Sequence, residues 1–270
     1  PVCLGNWCPK NYSGGYGGRM PLITALTRSI NTIAVKLSIA IGNGNAKAGR
    51  AKIVALAHAM GIRTPLPDTP SLPIGADAVT VLDHTVAYAT FPNEGKAVPA
   101  HAVLEVRTGT GETIWRFDRD GPKPKQVMSG DVAEGMVKMM NSVVENGTAR
   151  RAMLDGIKAA GKTGTTNAYR DAWFVGYTGN FVAGVWVGND DYRPLNRMTG
   201  GSVPAMIWHS VMEYAHQGVE LRNLPGLPPN SISVTGTELR GSVLAGLGVV
   251  AALFLLLIIY RAVRRRTRRG

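Results

Sequence analysis

The chain has 270 residues, 45% of them hydrophobic, and a formal net charge of +12. That balance excludes a disordered tail protein and leaves apolar material for one large domain or two small ones. Its two cysteines, Cys3 and Cys8, exclude a disulfide-dense miniature scaffold and stand as either a short bridge or two free thiols. The five histidines lack the His-x-x-x-His spacing of a helical metalloprotease, so neither a metal nor another cofactor is expected.

In residues 21–41 Leu22, Leu26, Ile30, Ile33, Leu37 and Ile41 recur at helical spacing between Pro21 and Gly42, which predicts a first helix. A second is expected over residues 46–60, ending at Gly61, and a third over 80–91. The period then changes. Residues 100–107 and 112–117 alternate apolar with polar around a Gly-rich turn at 108–111, the pattern of a hairpin. Ser129 can cap a helix with the stripe Val132, Met136, Met139, Met140 and Val143, stopped by Asn146-Gly147. Three strands are expected at 157–165, 172–178 and 181–189, and a last helix at 203–216 to cover them. Helices followed by an antiparallel meander read as an α+β fold.

Residues 224–240 are rich in Pro, Gly, Ser and Thr and read as a tether. Residues 241–260 carry no charge and are long enough, as a helix, to cross about 30 Å of hydrocarbon, so a transmembrane span in a lipid bilayer is expected. Arg261, Arg264, Arg265, Arg266, Arg268 and Arg269 follow it; they supply half of the net charge and leave +6 for residues 1–260. Such a cluster flanks membrane helices on the cytoplasmic side, which places the tail 261–270 inside and residues 1 to about 230 outside. The remaining charge is too dilute to argue for a nucleic-acid partner.

Gly156 to Thr163 satisfies the phosphate-loop pattern G-x-x-x-x-G-K-[ST] literally. Such a loop needs a buried strand ahead of it and a helix starting at the lysine. Here the preceding residues are polar and the following Thr163-Gly164-Thr165-Thr166 is poor in helix formers, so Lys162 is expected on a strand.

On that reading the chain resembles the transpeptidase domain of class A penicillin-binding proteins. The resemblance rests on residues 7–16, Ser29-Ile30-Asn31, Lys162 to Thr166, residues 171–177, Val185-Trp186-Val187-Gly188 and residues 199–208, in that order. It implies a penicillin-binding protein/β-lactamase-like fold and a serine D,D-transpeptidase that cross-links peptidoglycan stem peptides through an acyl-enzyme, with β-lactams trapping the same serine. In that family Ser29 and Asn31 would be the S-x-N pair, the hydroxyl relaying a proton and the amide holding substrate backbone. Two residues apart on a helix would point about 200° apart, so the resemblance also implies a break between residues 27 and 31. Lys162 would supply positive charge, Thr163 and Thr165 would receive the donor's terminal carboxylate, and Gly164 with Thr166 would complete the substrate strand. The Thr165 N–H would be one oxyanion donor.

One departure is decisive for catalysis: no lysine has a serine three residues before it, so the S-x-x-K nucleophile motif is missing. The family places that motif ahead of S-x-N, which would put it before Pro1. The sequence is therefore expected to be a C-terminal part or truncated product of a longer enzyme with a glycosyltransferase domain and an N-terminal anchor, and to be inactive as given. Its division is a partial transpeptidase domain at 1–223, a linker at 224–240, a span at 241–260 and a basic tail at 261–270, in a bacterial inner membrane with the domain facing the periplasm. The span at the C-terminus departs from a family usually anchored at its N-terminus. The other class of reading is a membrane-tethered binding or scaffold protein that keeps the fold without catalysis, and the phosphate-loop reading stands behind both.

Overall fold

The computed structural model describes residues 1–231. The remainder of the tether, the apolar span 241–260 and the arginine tail 261–270 lie outside the described residues. No helix among the described residues is long and apolar enough to cross a membrane.

The N-terminal half is helical: α1 (Leu22–Thr27), α2 (Asn31–Ile41), α3 (Ala46–Met60) and α4 (Val81–Tyr88). A polar arm follows, with β1 (Lys96–Ala97), β2 (Glu105–Arg107), β3 (Thr113–Arg116), the single-turn α5 (Phe117–Asp120) and β4 (Lys125–Gln126). The long helix α6 (Gly130–Asn146) leads into β5 (Ala160–Thr165), β6 (Asp171–Tyr177) and β7 (Val182–Gly188), and α7 (Val203–Ala215) closes the unit. The three last strands form one antiparallel sheet in the order β5-β6-β7, while β1 pairs with β4 and β2 with β3. Helices and antiparallel sheet make the architecture α+β, as the pattern predicts.

Strand alternation divides the core in two. Phe174 faces α7, where Trp208 meets it edge-on at 5.2 Å between centroids. Both side chains are fully buried, and the Trp208 indole N–H donates to the Ala183 carbonyl at 3.1 Å, so the ring is buried without an orphaned donor. Ala160 and its register partner Tyr177 belong to the second cluster, with Val137 and Met140 of α6 and with Phe91. Lys162 shares the parity of Ala160, and Thr163 that of Thr165, so neighbouring residues of β5 serve opposite faces.

Several boundaries depart from the sequence reading. The apolar period of residues 21–41 runs through a break: Arg28, Ser29 and Ile30 separate α1 from α2, where the resemblance, not the periodicity, required it. The first strand begins at Ala160 rather than 157, because the Lys158 N–H is taken by Asn230 Oδ1 at 2.7 Å instead of a neighbouring strand. The tether expected from Leu224 does not leave the domain there. Leu224 is 2% exposed, Leu227 packs beside it, and the Ser231 N–H donates to the Gly156 carbonyl at 2.9 Å. Proline and glycine gave this stretch the composition of a linker, but Leu224 is buried and Leu227 partly so. Cys3 and Cys8 form a disulfide.

The α2–α3 pair is set by Gly49, whose missing side chain admits the Ser38 backbone: a Cβ there would lie 1.7 Å from the Ser38 carbonyl oxygen. Alanine is the better helix former by about 1 kcal/mol, yet here the clash is with backbone and cannot be relieved by a rotamer. Gly49→Ala is expected to destabilise the fold by about 2 kcal/mol or more in denaturant unfolding. An unchanged or raised midpoint would contradict this packing.

Candidate active site

The helix break is built from local hydrogen bonds. Thr27 Oγ1 donates its one proton back to the Ile23 carbonyl at 2.7 Å, which leaves it to accept from the Ser142 hydroxyl on α6 at 2.9 Å. Ser29 then adopts φ +54°, a left-handed conformation uncommon for a residue with a Cβ. The new helix starts at Asn31 behind Ile30, which has no capping side chain. Its cap comes from elsewhere: Asn11, only 5% exposed, accepts from the Thr32 N–H at 3.1 Å and from the Thr32 hydroxyl at 3.2 Å. Asn31 Nδ2 donates to the Lys10 carbonyl at 2.9 Å, so the N-terminal segment is laced to the turn that carries Ser29.

Opposite this turn, Lys162 extends from the middle of β5. Its ammonium donates to Ser29 Oγ at 2.9 Å, to the Thr163 carbonyl at 3.0 Å and to Thr163 Oγ1 at 3.3 Å, which occupies all three N–H bonds. Lys162 forms no ion pair with a carboxylate among the described residues. Burial alone therefore pulls its pKa from the usual lysine range down to about 8. Thr163 Oγ1 lies 2.7 Å from Thr148 Oγ1, which continues the chain of polar groups into a recess of about 440 Å³ lined in part by Thr148, Arg150, Arg151 and Thr199.

The structure thus brings Ser29, Lys162 and Thr163 into one hydrogen-bonded group, with Asn31 beside it. Thr165 Oγ1 accepts from the Gly200 N–H at 3.1 Å and keeps its own proton to donate. Gly164 lies against Trp173, where a Cβ would come within 3.1 Å of the Trp173 Cβ. Thr166 differs from expectation. Its hydroxyl donates to Asp171 Oδ2 at 2.9 Å and accepts from the Asp171 N–H at 2.8 Å, closing the β5–β6 turn rather than offering itself to a ligand. The phosphate-loop pattern fails on geometry, because Lys162 is internal to a strand and no helix starts there. Sequence reasoning missed Asn11 and Thr148. Both lie inside short Asn-x-Ser/Thr matches that point to a different chemistry, and nothing local to either names its distant partner.

Lysine Cε resonances followed by NMR against pH should include one midpoint near 8 that vanishes in Lys162→Met. Ser29→Ala removes an acceptor from the ammonium and should lower that midpoint further. The folded pKa lies below the unfolded value, so the unfolded chain binds more protons between about pH 8 and 10.4, and stability rises across that window. Below it, charging Lys162 costs roughly 3 kcal/mol. Lys162→Met should accordingly melt higher than the parent at pH 7 and lose that advantage above about pH 10. A midpoint above 10 in the parent chain would refute the burial.

Comparisons with known proteins agree with this architecture. The family model described as the penicillin binding protein transpeptidase domain matches residues 2–213. Penicillin-binding protein 1A of Aquifex aeolicus is 35% identical over 236 residues, covering 85% of this chain and 30% of that protein. Penicillin-binding protein 4 of Bacillus subtilis is 32% identical over 223 residues, covering 79% of this chain and 33% of that protein. The chain thus spans about a third of the length of the curated relatives it matches. Among solved structures, the PonA1 protein from Mycobacterium tuberculosis in complex with penicillin V superposes with a TM-score of 0.69 at 26% identity, over 83% of this chain and 64% of that one. With the match running from residue 2 to residue 213, the chain belongs to the penicillin-binding protein transpeptidase domain family.

Proposed function

We propose that this chain supplies the substrate cradle of a peptidoglycan D,D-transpeptidase whose nucleophilic serine lies in an S-x-x-K segment outside the sequence. The observation that carries the reading is the 2.9 Å contact between Ser29 Oγ and Lys162 Nζ, residues from different layers that meet at the edge of the sheet. In the reaction, the serine oxygen gives up its proton and attacks the carbonyl carbon before the terminal D-alanine, and the amide C–N bond breaks as the D-alanine nitrogen takes up a proton and leaves. The resulting ester is then attacked by the amine of a second peptide, which forms the cross-link and returns the serine. Ser29, held by a lysine whose pKa is near 8, would pass the proton to the leaving nitrogen. The hydroxyls of Thr163 and Thr165 would receive the donor's carboxylate, and β5 would pair with its backbone.

The chain's apolar residues 241–260 would anchor this cradle in a bilayer, with the arginine tail on the cytoplasmic side and the domain on the outer face. β-Lactams would act on the assembled enzyme. The absence of any Ser-x-x-Lys favours a second reading, a scaffold that binds wall peptides without reacting.

Titrating the full chain in detergent with a peptide ending in D-alanyl-D-alanine should give saturable binding that is lost when the peptide's terminal carboxylate is amidated. Thr165→Val should weaken it about tenfold, roughly the 1.4 kcal/mol of one lost hydrogen bond to a charged group, with recovery in Thr165→Ser. Equal affinity for acid and amide would sink the cradle. Fluorescent penicillin should leave the chain unlabelled, and a covalent adduct would contradict the missing nucleophile.

A further inference from the structure

The recess that begins at Thr148 holds about 440 Å³, and none of the residues lining it is acidic. Arg150 and Arg151 stand in its wall, and neither enters an ion pair among the described residues. Exposed arginines are commonly just solvated, so their placement decides what these two can do. Their backbone is fixed: residues 150–152 make a single turn packed on α7, and Ala149 and Ala152, which bracket the two arginines, are fully buried. A Cβ at Gly201 would lie 2.1 Å from the Thr148 carbonyl oxygen, so the loop ahead of α7 is seated on the same segment. Ser202 is spent on that loop, its hydroxyl donating to the Thr199 carbonyl at 2.6 Å and accepting from the Thr199 N–H at 3.0 Å. The wall thus offers two guanidiniums and the hydroxyls of Thr148 and Thr199, all of them donors, with no carboxylate to neutralise them.

Thr148 is also the link between the recess and β5. Its Oγ1 lies 2.7 Å from Thr163 Oγ1, which already accepts from the Lys162 ammonium at 3.3 Å. Two hydroxyls in contact hold two protons, and the bond between them consumes one. When Thr148 donates to Thr163, the free proton is on Thr163 and serves the β5 side. When Thr163 donates to Thr148, the free proton is on Thr148 and serves the recess. The pair therefore cannot donate to an anion on both sides at once.

We propose that the recess binds a phosphate group and, through the Thr148–Thr163 pair, weakens carboxylate binding at β5. Phosphate is preferred to carboxylate because two forked guanidiniums and two hydroxyls ask for more acceptor oxygens than a carboxylate carries, and the arginine fork matches phosphate bidentately. A bound phosphate turns the Thr148 hydroxyl toward itself, which leaves Thr163 without a proton for a peptide, and its charge opposes a second anion nearby. The binding itself needs no enzymatic role. The antagonism rests on the transpeptidase reading, in which Thr163 receives the donor's terminal carboxylate. Free phosphate and the phosphate monoester of a larger headgroup present the same oxygens to these donors, so the probes below separate the two.

The full chain in detergent is titrated calorimetrically with inorganic phosphate and, separately, with glycerol 3-phosphate as a soluble headgroup, chloride holding the ionic strength constant. Saturable binding should weaken about tenfold or more when Arg150→Gln and Arg151→Gln are combined. Both arginines are exposed, so that variant's melting temperature should stay within a few degrees of the parent's. Similar affinity for the two probes supports a site for the phosphate group alone, and binding of the ester only supports a headgroup site. No saturable binding of either, or binding that survives the loss of both arginines, overturns the proposal. A peptide ending in D-alanyl-D-alanine is then titrated at rising phosphate. Its affinity should fall about tenfold and level off, the loss of roughly one hydrogen bond to a charged group, and Thr148→Val should abolish that fall. A fall that never levels off puts the phosphate on Thr163 itself, and an unchanged affinity uncouples the two sides; either result overturns the antagonism. A peptide that fails to bind even without phosphate removes the transpeptidase reading and the antagonism with it, while arginine-dependent phosphate binding still supports the recess as a site.

Discussion

Two consecutive residues of α6 hold the two halves of the candidate site. Ser142 hydrogen-bonds the hydroxyl of Thr27 at 2.9 Å and so fixes the end of α1, two residues before Ser29. Asn141 donates its side-chain amide to the Ala159 carbonyl at 2.8 Å, in a buried position, and so fixes the start of β5, three residues before Lys162. Adjacent helical residues point about 100° apart, which lets one helix address the helical layer and the sheet together. The same helix enters both core clusters, with Val137 and Met140 in one and Val143 and Val144 in the other. The separation between Ser29 and Lys162 is therefore measured along a rigid element, not across a loop.

That measurement succeeds only because the first helix breaks. Ser29 in a left-handed conformation costs on the order of 1–3 kcal/mol, and the cost is offset by the groups packed around it. Asn11 caps α2 from outside, Asn31 ties down Lys10, and Gly147 allows the end of α6 to approach Thr27, where a Cβ would lie 2.4 Å from the Thr27 carbonyl oxygen. Strain at Ser29 is thus sustained by the N-terminal segment on one side and by α6 on the other. The polar residues near the turn hold its backbone.

Periodicity read the regular elements well: α3 and α7 coincide with the expected helices to within a residue, and α6 starts and stops at its predicted cap and glycine. The break at residues 28–30 was invisible to it, since Leu26, Ile30 and Ile33 keep helical spacing straight through. Only the resemblance to a known motif asked for the interruption. The two-residue strands β1 and β4 were equally hidden, being too short to carry any alternation. Leu224 shows the opposite failure, in which local composition spoke for a linker while one buried leucine, with Leu227 packed beside it, decided the outcome. Of the site, the residue types at Ser29, Lys162 and Thr163 were legible, but the partners that orient them were not. Asn11 with Thr32 and Thr148 with Thr163 are contacts between segments 21 and 15 residues apart, and no local signal encodes them. Thr166 failed for a related reason, because its hydroxyl had a nearer competitor in Asp171 than any ligand.

The state of Lys162 follows from what surrounds it. Its neighbours along the strand are Gly161, Thr163 and Gly164, and its three N–H bonds end on neutral oxygens, two of them hydroxyls. Neutral acceptors orient an ammonium but return less of the lost hydration than a carboxylate would, so desolvation prevails and the pKa falls to about 8. A carboxylate in place of Thr163 would hold the lysine fully charged and stabilise the fold, and it would also fix the proton. With hydroxyls, the lysine is partly neutral just above neutral pH while its hydrogen bond to Ser29 keeps it in place. The fold accepts a destabilised charge at this one position, and the same burial that costs stability is what makes the group chemically responsive.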